Sequence, residues 1–428
     1  MKKGLLLLVF SAIIAASTIA QDNKSFGIKF SGFVKTDIFW DSRQTVAARE
    51  GHFLLYPTNE RLDADGNDIN AKANFNMLSI QTRLRGTITG PDALGAKTSG
   101  VIEGAFFGQI NSDVNGFRLR HAFVKLRWEK TSLLVGQYWH PNFVTYCFPG
   151  TVSFNTGAPF IPFSRNPQIR VTQKLGKFNV MFTVLSQIDF VSAGPAPNDG
   201  TINLPSSKYL RNSALPALNL RFEYRNVNTD DNKEFLIGAS VNFKMLTPRL
   251  VTDSNYKTST TVSSISETFY VKLKLPKVTF KLQGIYAQDP YNWLMIGGYA
   301  VESVDDATKD FLNYTPITTA SGWLDIHSNG KKWQVGLLAG YAQNLGAGKD
   351  ITGPTYQRGS NIAYLYRISP RFIYNSGKFR IAPEIEYTVA AYATKDANGI
   401  LNIDSKGKVT DSKEIGNVRI LLGVYYFF

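Results

Sequence analysis

Ile28, Phe30, Val34, Ile38 and Trp40 alternate with Lys29, Ser31, Lys35, Asp37 and Asp41, which is the two-residue period of a β-strand with one apolar and one polar face. The period returns along the chain. Leu78, Ile80, Leu84 and Ile88 oppose Ser79, Gln81, Arg83 and Arg85; Leu218, Leu220, Phe222 and Tyr224 oppose Asn219, Arg221, Glu223 and Arg225; Phe269, Val271 and Leu273 oppose Tyr270, Lys272 and Lys274. Near the end, Phe379, Ile381, Ile385, Tyr387 and Val389 oppose Arg380, Glu384, Glu386 and Thr388. A last strand puts Val418, Ile420, Leu422, Val424, Tyr426 and Phe428 on one face. A soluble sandwich gives the same local alternation. Many of these runs, however, reach about ten residues, carry charges at mid-strand and gather aromatic residues at their ends. Strands tilted across a bilayer need about 9–11 residues, with aromatic girdles outside and a polar interior.

The connections alternate in length. Short ones fall around Pro91, Glu129-Lys130, Gly176-Lys177, Asn228–Asn232, Pro276-Lys277, Asn329-Gly330 and Ser376-Gly377. Long ones cover 42–74, 140–165, 190–214, 246–265, 289–316, 343–360 and 393–414, with 111–116 as the one brief member. Outer-membrane barrels have short periplasmic turns and longer external loops, and counting between these connections gives about sixteen strands. The expected fold is thus an all-β, transmembrane antiparallel β-barrel forming one domain over 21–428, with both ends of the chain periplasmic. Barrels of roughly 16–18 strands leave an aqueous channel. The connection 140–165, with Pro149-Gly150, Pro159 and Pro162 among phenylalanines, suits a segment folded into the lumen as a constriction; a loop packed on a neighbouring subunit would have the same composition.

The first twenty residues read as a cleaved secretory signal: Lys2 and Lys3, an apolar run from Leu5 to Ala16, and small residues up to Ala20, so the mature chain is expected to begin near Gln21. No stretch has the roughly 20 uninterrupted apolar residues of a transmembrane helix. The expected location is the outer membrane of a Gram-negative bacterium, in contact with its lipid.

The formal net charge of +14 falls to +12 once Lys2 and Lys3 of the signal are removed. The positive residues are single and spaced along strands, not clustered in a run or basic helix, which argues against nucleic acid as the partner. A charge facing hydrocarbon at mid-membrane costs roughly 2–4 kcal/mol, so the polar faces must line the lumen. Lys35, Arg83, Arg85, Arg170, Lys174, Arg221, Arg225, Lys272, Lys274, Arg367, Arg371, Arg380 and Arg419 are the pore-wall candidates, against the fewer acids Asp37, Glu103, Glu223, Glu384 and Glu386. Guanidinium groups bind carboxylates and phosphates through two parallel hydrogen bonds, and low-dielectric walls focus the field on entering anions. Mere hydration of the lumen is the competing use of such charges. Arg118 and Arg120 share parity with the apolar Ala122, Val124, Leu126 and Trp128, which requires either a bulge or a place at the water interface.

Enzyme and metal motifs are missing. His52, His121, His140 and His327 have no metal-ligand spacing, and no Ser-His-acid grouping stands out. The run Asp63-Ala64-Asp65-Gly66-Asn67-Asp68 has the look of a calcium loop without the downstream bidentate acid, so turn chemistry explains it. Cys147, the lone cysteine, is expected to be buried and inert. No cofactor is expected.

Three stretches together resemble the DcaP-like trimeric porin family: Gly100-Val101-Ile102-Glu103-Gly104-Ala105-Phe106-Phe107-Gly108, then Phe117 to Val124 with Leu119-Arg120-His121-Ala122-Phe123, then Arg165 to Val171 with Pro167-Gln168-Ile169-Arg170; Gly136-Gln137 fits as well. The resemblance covers roughly residues 75–175 and departs at Ala105, where the family usually has an acid. It implies a homotrimer that takes up small anionic solutes, particularly dicarboxylates, past an arginine-lined constriction. It also raises Arg120, Arg165 and Arg170 above the other arginines. The site set expected for the anion is Arg83, Arg85, Arg120, Arg165, Arg170, Arg221 and Arg367. The phosphate-selective porins O and P are similar in layout; an outer-membrane barrel hydrolase and a surface structural protein are the alternatives from other classes. The terminal Phe428 resembles the signal by which the barrel-assembly machinery recognises such chains.

Overall fold

The computed structural model describes residues 26–108, 111–197 and 199–428; the signal segment 1–20 lies outside the described residues. Sixteen antiparallel strands close into one barrel. They are Gly27–Asp41, the broken strand Asn74–Leu78 with Arg83–Thr89, Lys97–Ala105, Arg118–Arg127, Thr131–Trp139, Arg165–Leu175, Phe178–Leu185, Ala217–Asn228, Lys233–Leu246, Val262–Lys274, Val278–Gln288, Phe311–Ser328, Trp333–Ala347, Ile362–Ser376, Phe379–Ala393 and Ser412–Phe427. Each pairs with its sequence neighbours, and the first closes on the last from Phe33 opposite Phe427 to Asp41 opposite Arg419. Gly32 and Phe428 then exchange backbone hydrogen bonds of 3.3 and 3.2 Å, so the aromatic end of the chain seals the seam. Closure leaves no unpaired strand edge, the condition for a sheet to stand in hydrocarbon.

Alternation decides what faces out. Ile28, Phe30, Val34, Phe222, Ile265, Phe269, Ile385, Ile420 and Tyr426 are exposed on the outer wall, whereas Lys35, Asp37, Asp41, Arg221, Arg367, Glu384, Glu386 and Arg419 are buried on the inner one. Such a continuous apolar exterior is stable only against lipid, which makes the chain an outer-membrane barrel. The seven short turns fall where the alternation puts them, and the long connections gather at the other end.

One expected facing is corrected. Leu78 and Ile80 turn inward: Ile80 is buried in the main apolar cluster and Leu78 packs against it. The ladder breaks between Leu78 and Arg83, where the Thr82 hydroxyl accepts the Lys35 N–H at 3.1 Å and donates to the Ser79 carbonyl at 2.8 Å. The break changes parity, so Phe75 and Met77 face out above it and Leu84 below it.

Two long connections fold into the lumen. The segment 140–164 buries Phe143, Val144, Cys147, Phe154, Phe160, Ile161 and Phe163, and the hairpin Thr45–Ala48 with Phe53–Pro57 adds Phe53, Leu54 and Leu55. Stacking and edge contacts tie the two together, Phe53 lying 5.3 Å from Phe154 and 5.0 Å from Phe163. Inward-facing glycines make the fit possible: a Cβ on Gly340 would meet Phe160 at 2.6 Å, and one on Gly423 would meet Val152 at 2.7 Å.

Candidate functional site

The lumenal wall facing these loops divides into two halves. On strands Phe311–Ser328 to Ser412–Phe427, with Gly27–Asp41 beyond the seam, the charges are matched. Arg419 grips Asp41 through two bonds of 2.9 and 2.6 Å, Lys35 sits 2.8 Å from Asp37, Arg371 sits 2.7 Å from Asp325, and Arg367 sits 3.5 Å from Glu386. Much of their remaining hydrogen-bonding capacity holds the loops, although one terminal nitrogen each of Arg371 and Arg419 finds no hydrogen-bond partner among the described residues. Arg367 donates to the carbonyls of Ala158 and Leu55, both at 2.8 Å; Glu386 accepts from Asn155 at 2.6 Å; Lys35 donates to the Val152 carbonyl at 2.7 Å. Arg367, named from the sequence as a site residue, is fully buried in this work and does not line open space.

The other half, on the strands from Arg83–Thr89 to Ala217–Asn228, has too few acids. Toward the long loops, Arg165 donates to Asp189 at 2.7 Å, Arg118 binds the other oxygen of Asp189, and Arg120 donates to Glu103 at 2.9 Å with Arg85 at 3.8 Å. Arg49, from the folded-in hairpin, lies 4.5 Å over the Phe107 ring and donates to the Gly108 carbonyl at 2.8 Å. Arg83 packs 5.3 Å over Phe33. Both terminal nitrogens of Arg49 and Arg165, one each of Arg118 and Arg120, and Nε of Arg83 find no partner among the described residues. Burial pushes the Arg49 guanidinium down to about 9, with Asp189 opposing and Arg118 and Arg165 reinforcing the change. Burial would raise the Asp189 carboxyl, but Arg165, Arg118 and Arg49 outweigh it and hold it below the ordinary aspartate value.

A bulge sets this cluster. Opposite the strand Lys97–Ala105, the register slips between Glu103 and Gly104, so His121 pairs with Glu103 and Leu119 with Gly104. Arg118 and Arg120 therefore point inward below an outward Leu119, and beyond the bulge Ala122 and Val124 resume the apolar face. Gln137 caps the irregularity by donating to the Leu119 and Arg120 carbonyls at 3.3 and 3.0 Å. The two options left open by parity are thus settled in favour of the bulge.

Toward the short turns the same wall opens into a cavity of about 860 Å³. Arg85, Lys125, Arg127, Arg170, Lys174, Lys177, Arg221 and Arg225 line it, and Glu223 is its one acid. Arg170 donates to the Trp139 carbonyl at 2.8 Å and lies 5.4 Å from the Tyr138 ring. Arg221 bonds the Pro141 carbonyl at 2.8 Å and Glu223 at 3.2 Å. The structure therefore brings Arg85, Arg170 and Arg221 to the cavity, groups Arg83, Arg120 and Arg165 above it, and sets Arg367 apart.

Sequence reasoning left Arg49, Asp189, Lys125, Arg127 and Lys177 out of the site. Lys125 and Arg127 alternate with Val124 and Leu126 and were readable once the bulge is allowed for. Arg49 and Asp189 sit on loops, where no period marks facing. Among the described residues no group of His, Cys, Asp and Glu has the makings of a metal site. His52 instead bonds Asp37 at 2.9 Å and stacks 4.9 Å from Phe154; His140 caps the Asn142 N–H at 3.2 Å. In the run Asp63–Asp68, Asp63 is spent on its own turn, accepting the Asp65 and Asn67 N–H groups at 2.9 and 2.8 Å, and Asp68 accepts from the Arg43 guanidinium and the Arg61 and Asn70 N–H groups. Cys147 is buried, and burial pushes its thiol up to about 12.

No family model matches the chain, and no curated protein does. Among solved structures it is similar to the outer-membrane channel DcaP of Acinetobacter baumannii, at 15% identity and a TM-score of 0.66 over 96% of this chain and 99% of that one. It is also similar to OmpT, an outer-membrane protein of Vibrio cholerae, at 11% identity and 0.52 over 95% and 99%, and to the trimer form of in-vitro folded OmpT at 10% and 0.53 over 95% and 100%. The chain therefore shares the barrel fold of these outer-membrane proteins, and the DcaP-like resemblance of the sequence motifs has its counterpart in the barrel.

Proposed function

We propose that this chain is a diffusion channel in the outer membrane of a Gram-negative bacterium, passing small anions, dicarboxylates among them, along the arginine-rich half of its lumen. The observation that carries the reading is the imbalance on that wall: eight cations line its cavity against one acid, and the arginines above leave more terminal nitrogens without a hydrogen-bond partner among the described residues than those of the matched half do. Structural ion pairing requires no such surplus; the opposite wall manages its arginines with matched acids. The segment 140–164 is the constriction in this account, because it is hydrogen-bonded to the matched wall through the Val152 and Ala158 carbonyls and Asn155, packs Phe143 and Phe163 on Trp139 of the basic wall, and leaves open space on the basic wall toward the short turns. Arg120, Arg165 and Arg170, which the motif resemblance singles out, are the arginines assigned to the narrowing in this reading, with Arg83, Arg85 and Arg221 extending the path. A homotrimer is the proposed assembly, supported by the trimeric fold neighbour and by the resemblance of the motifs, and Phe428 the proposed signal to the assembly machinery.

Succinate titrated into a chloride-conducting channel in a planar bilayer tests the reading. Chloride current is expected to fall saturably as succinate competes for the same guanidinium groups, with phosphate as the comparison that ranks the two anions. Chloride current indifferent to both would contradict it. Lipid hydrolysis by the purified barrel would favour the hydrolase instead.

A further inference from the structure

The cavity on the short-turn side differs from the arginine cluster above it in a way that bears on direction. Lys125, Arg127, Lys174 and Lys177 form no ion pair with a described carboxylate, and Glu223 is already engaged by Arg221 at 3.2 Å and by the Tyr270 hydroxyl at 3.0 Å. The cluster toward the long loops contains Asp189 and Glu103 among its arginines and is roofed by the folded-in loops. An anion arriving from the short-turn end thus meets unneutralised, partly exposed cations at once. One arriving from the loop end meets charges already half compensated.

We propose that this short-turn vestibule is a docking site for compact multivalent anions, carrying three or more charges, and that its occupation closes the channel from the periplasmic side alone. The inference rests on the reading of the chain as an anion channel. Lys125 and Arg170 flank Leu134 on the strands to either side of it, two strand spacings or about 10 Å apart at about 4.8 Å per strand, and Lys174 follows Arg170 on the same strand, so a polyanion spanning two strand spacings engages several cations together. Each additional contact multiplies the attraction, and the low-dielectric wall strengthens it. A monovalent ion gains a single such contact and moves on. A bound polyanion fills a cavity of about 860 Å³ beside the narrowing made by residues 140–164 and bars smaller ions.

Inorganic triphosphate added to each side of a planar bilayer holding single channels provides the test. Orientation is read by a charged maleimide on an Asn398→Cys variant, in an exposed long-loop turn. Half-block is expected at a concentration roughly ten-fold lower from the short-turn side. In a Lys125→Glu, Lys174→Glu double variant, with folding checked by heat-modifiable gel migration, the side preference is expected to vanish. Equal block from both sides, or a preference that survives the double reversal, overturns the inference. The reversal potential in the same membranes separates the two ideas: anion preference without sided block sinks the docking site alone, whereas cation preference sinks the proposed function. If no current is seen, calorimetric titration of the detergent-folded protein decides, triphosphate binding lost in the double variant supporting the site and absent binding overturning it.

Discussion

The two halves of the lumenal wall use the same residue types for opposite ends. On the matched half, Arg419 and Asp41, Arg371 and Asp325, and Lys35 and Asp37 are paired at 2.6 to 2.8 Å and buried; Lys35 and Asp325 also fasten the segment 140–164, and Arg419 fastens the hairpin turn at the Gly51 carbonyl. On the basic half, Arg165 and Arg49 each keep two nitrogens free of protein partners, and Lys125, Arg127 and Lys174 face open space. An arginine's place in a strand therefore does not reveal its role. At two arginines the ladder shows the difference directly: Arg419 faces Glu386 across one ladder and Asp41 across the other, whereas Arg170 faces Leu134 and Thr183.

Breaking the matched half should have the largest effect on stability. Arg419→Ala leaves Asp41 buried without its bidentate partner, a change that costs roughly 3–5 kcal/mol when a buried pair loses one member. A lower unfolding midpoint in urea with lipid or detergent present, together with noisier conductance as the loop loosens, is the expected result. The converse substitution on the basic half, Arg170→Ala combined with Arg165→Ala, should change selectivity more than stability. Removing two nearby charges shifts the anion-to-cation permeability ratio about five-fold or more at low salt and less at high salt, where screening shortens the field. Equal selectivity losses from Arg419→Ala and from the double variant would erase the comparison.

A third, smaller effect is pH-dependent. His52 fastens the hairpin to the matched wall, facing Asp37, Lys35 and Arg49. Burial pushes its imidazole down to about 4, against the pull of Asp37 and with help from Lys35 and Arg49. An undocked hairpin would titrate near the ordinary value of about 6.5. Because the docked form is the one that resists protonation, docking is at full strength above about pH 6.5 and weakens progressively as the pH falls toward 4. Proteolytic nicking of the hairpin should rise over that window, and His52→Gln should flatten the response. The smallest effect is expected at the acidic turn Asp63–Asp68: calcium chelation should leave the unfolding midpoint unchanged, since two of its three acids, Asp63 and Asp68, are occupied by backbone N–H groups.

Strand facing was legible because a lipid exterior and a wet interior impose one rule on every residue of a crossing. That rule fixed the short turns, the inward Lys35, Arg221 and Arg419, and the outward Phe428. It failed at Leu78 and Ile80, where a break resets parity, and it could only pose the question at Arg120, where a bulge does the same. Both are backbone irregularities braced by a hydrogen bond with another element, the Lys35 N–H to the Thr82 hydroxyl in one case and Gln137 to the Leu119 and Arg120 carbonyls in the other, and a single-strand pattern carries no trace of it. The pairing state of each arginine was equally hidden, since it depends on strand register and on loops returning to the lumen. Arg367 looks like its neighbours in the sequence and is spent on loop carbonyls; Arg49 has no periodic setting and joins the site.

The sign of the reversal potential across a planar bilayer with unequal potassium chloride on the two sides tests the central claim most directly. The unneutralised basic wall predicts preference for chloride over potassium in the wild-type channel, reduced in the Arg165→Ala, Arg170→Ala variant and retained in Arg419→Ala. Potassium preference in the wild-type channel would contradict it.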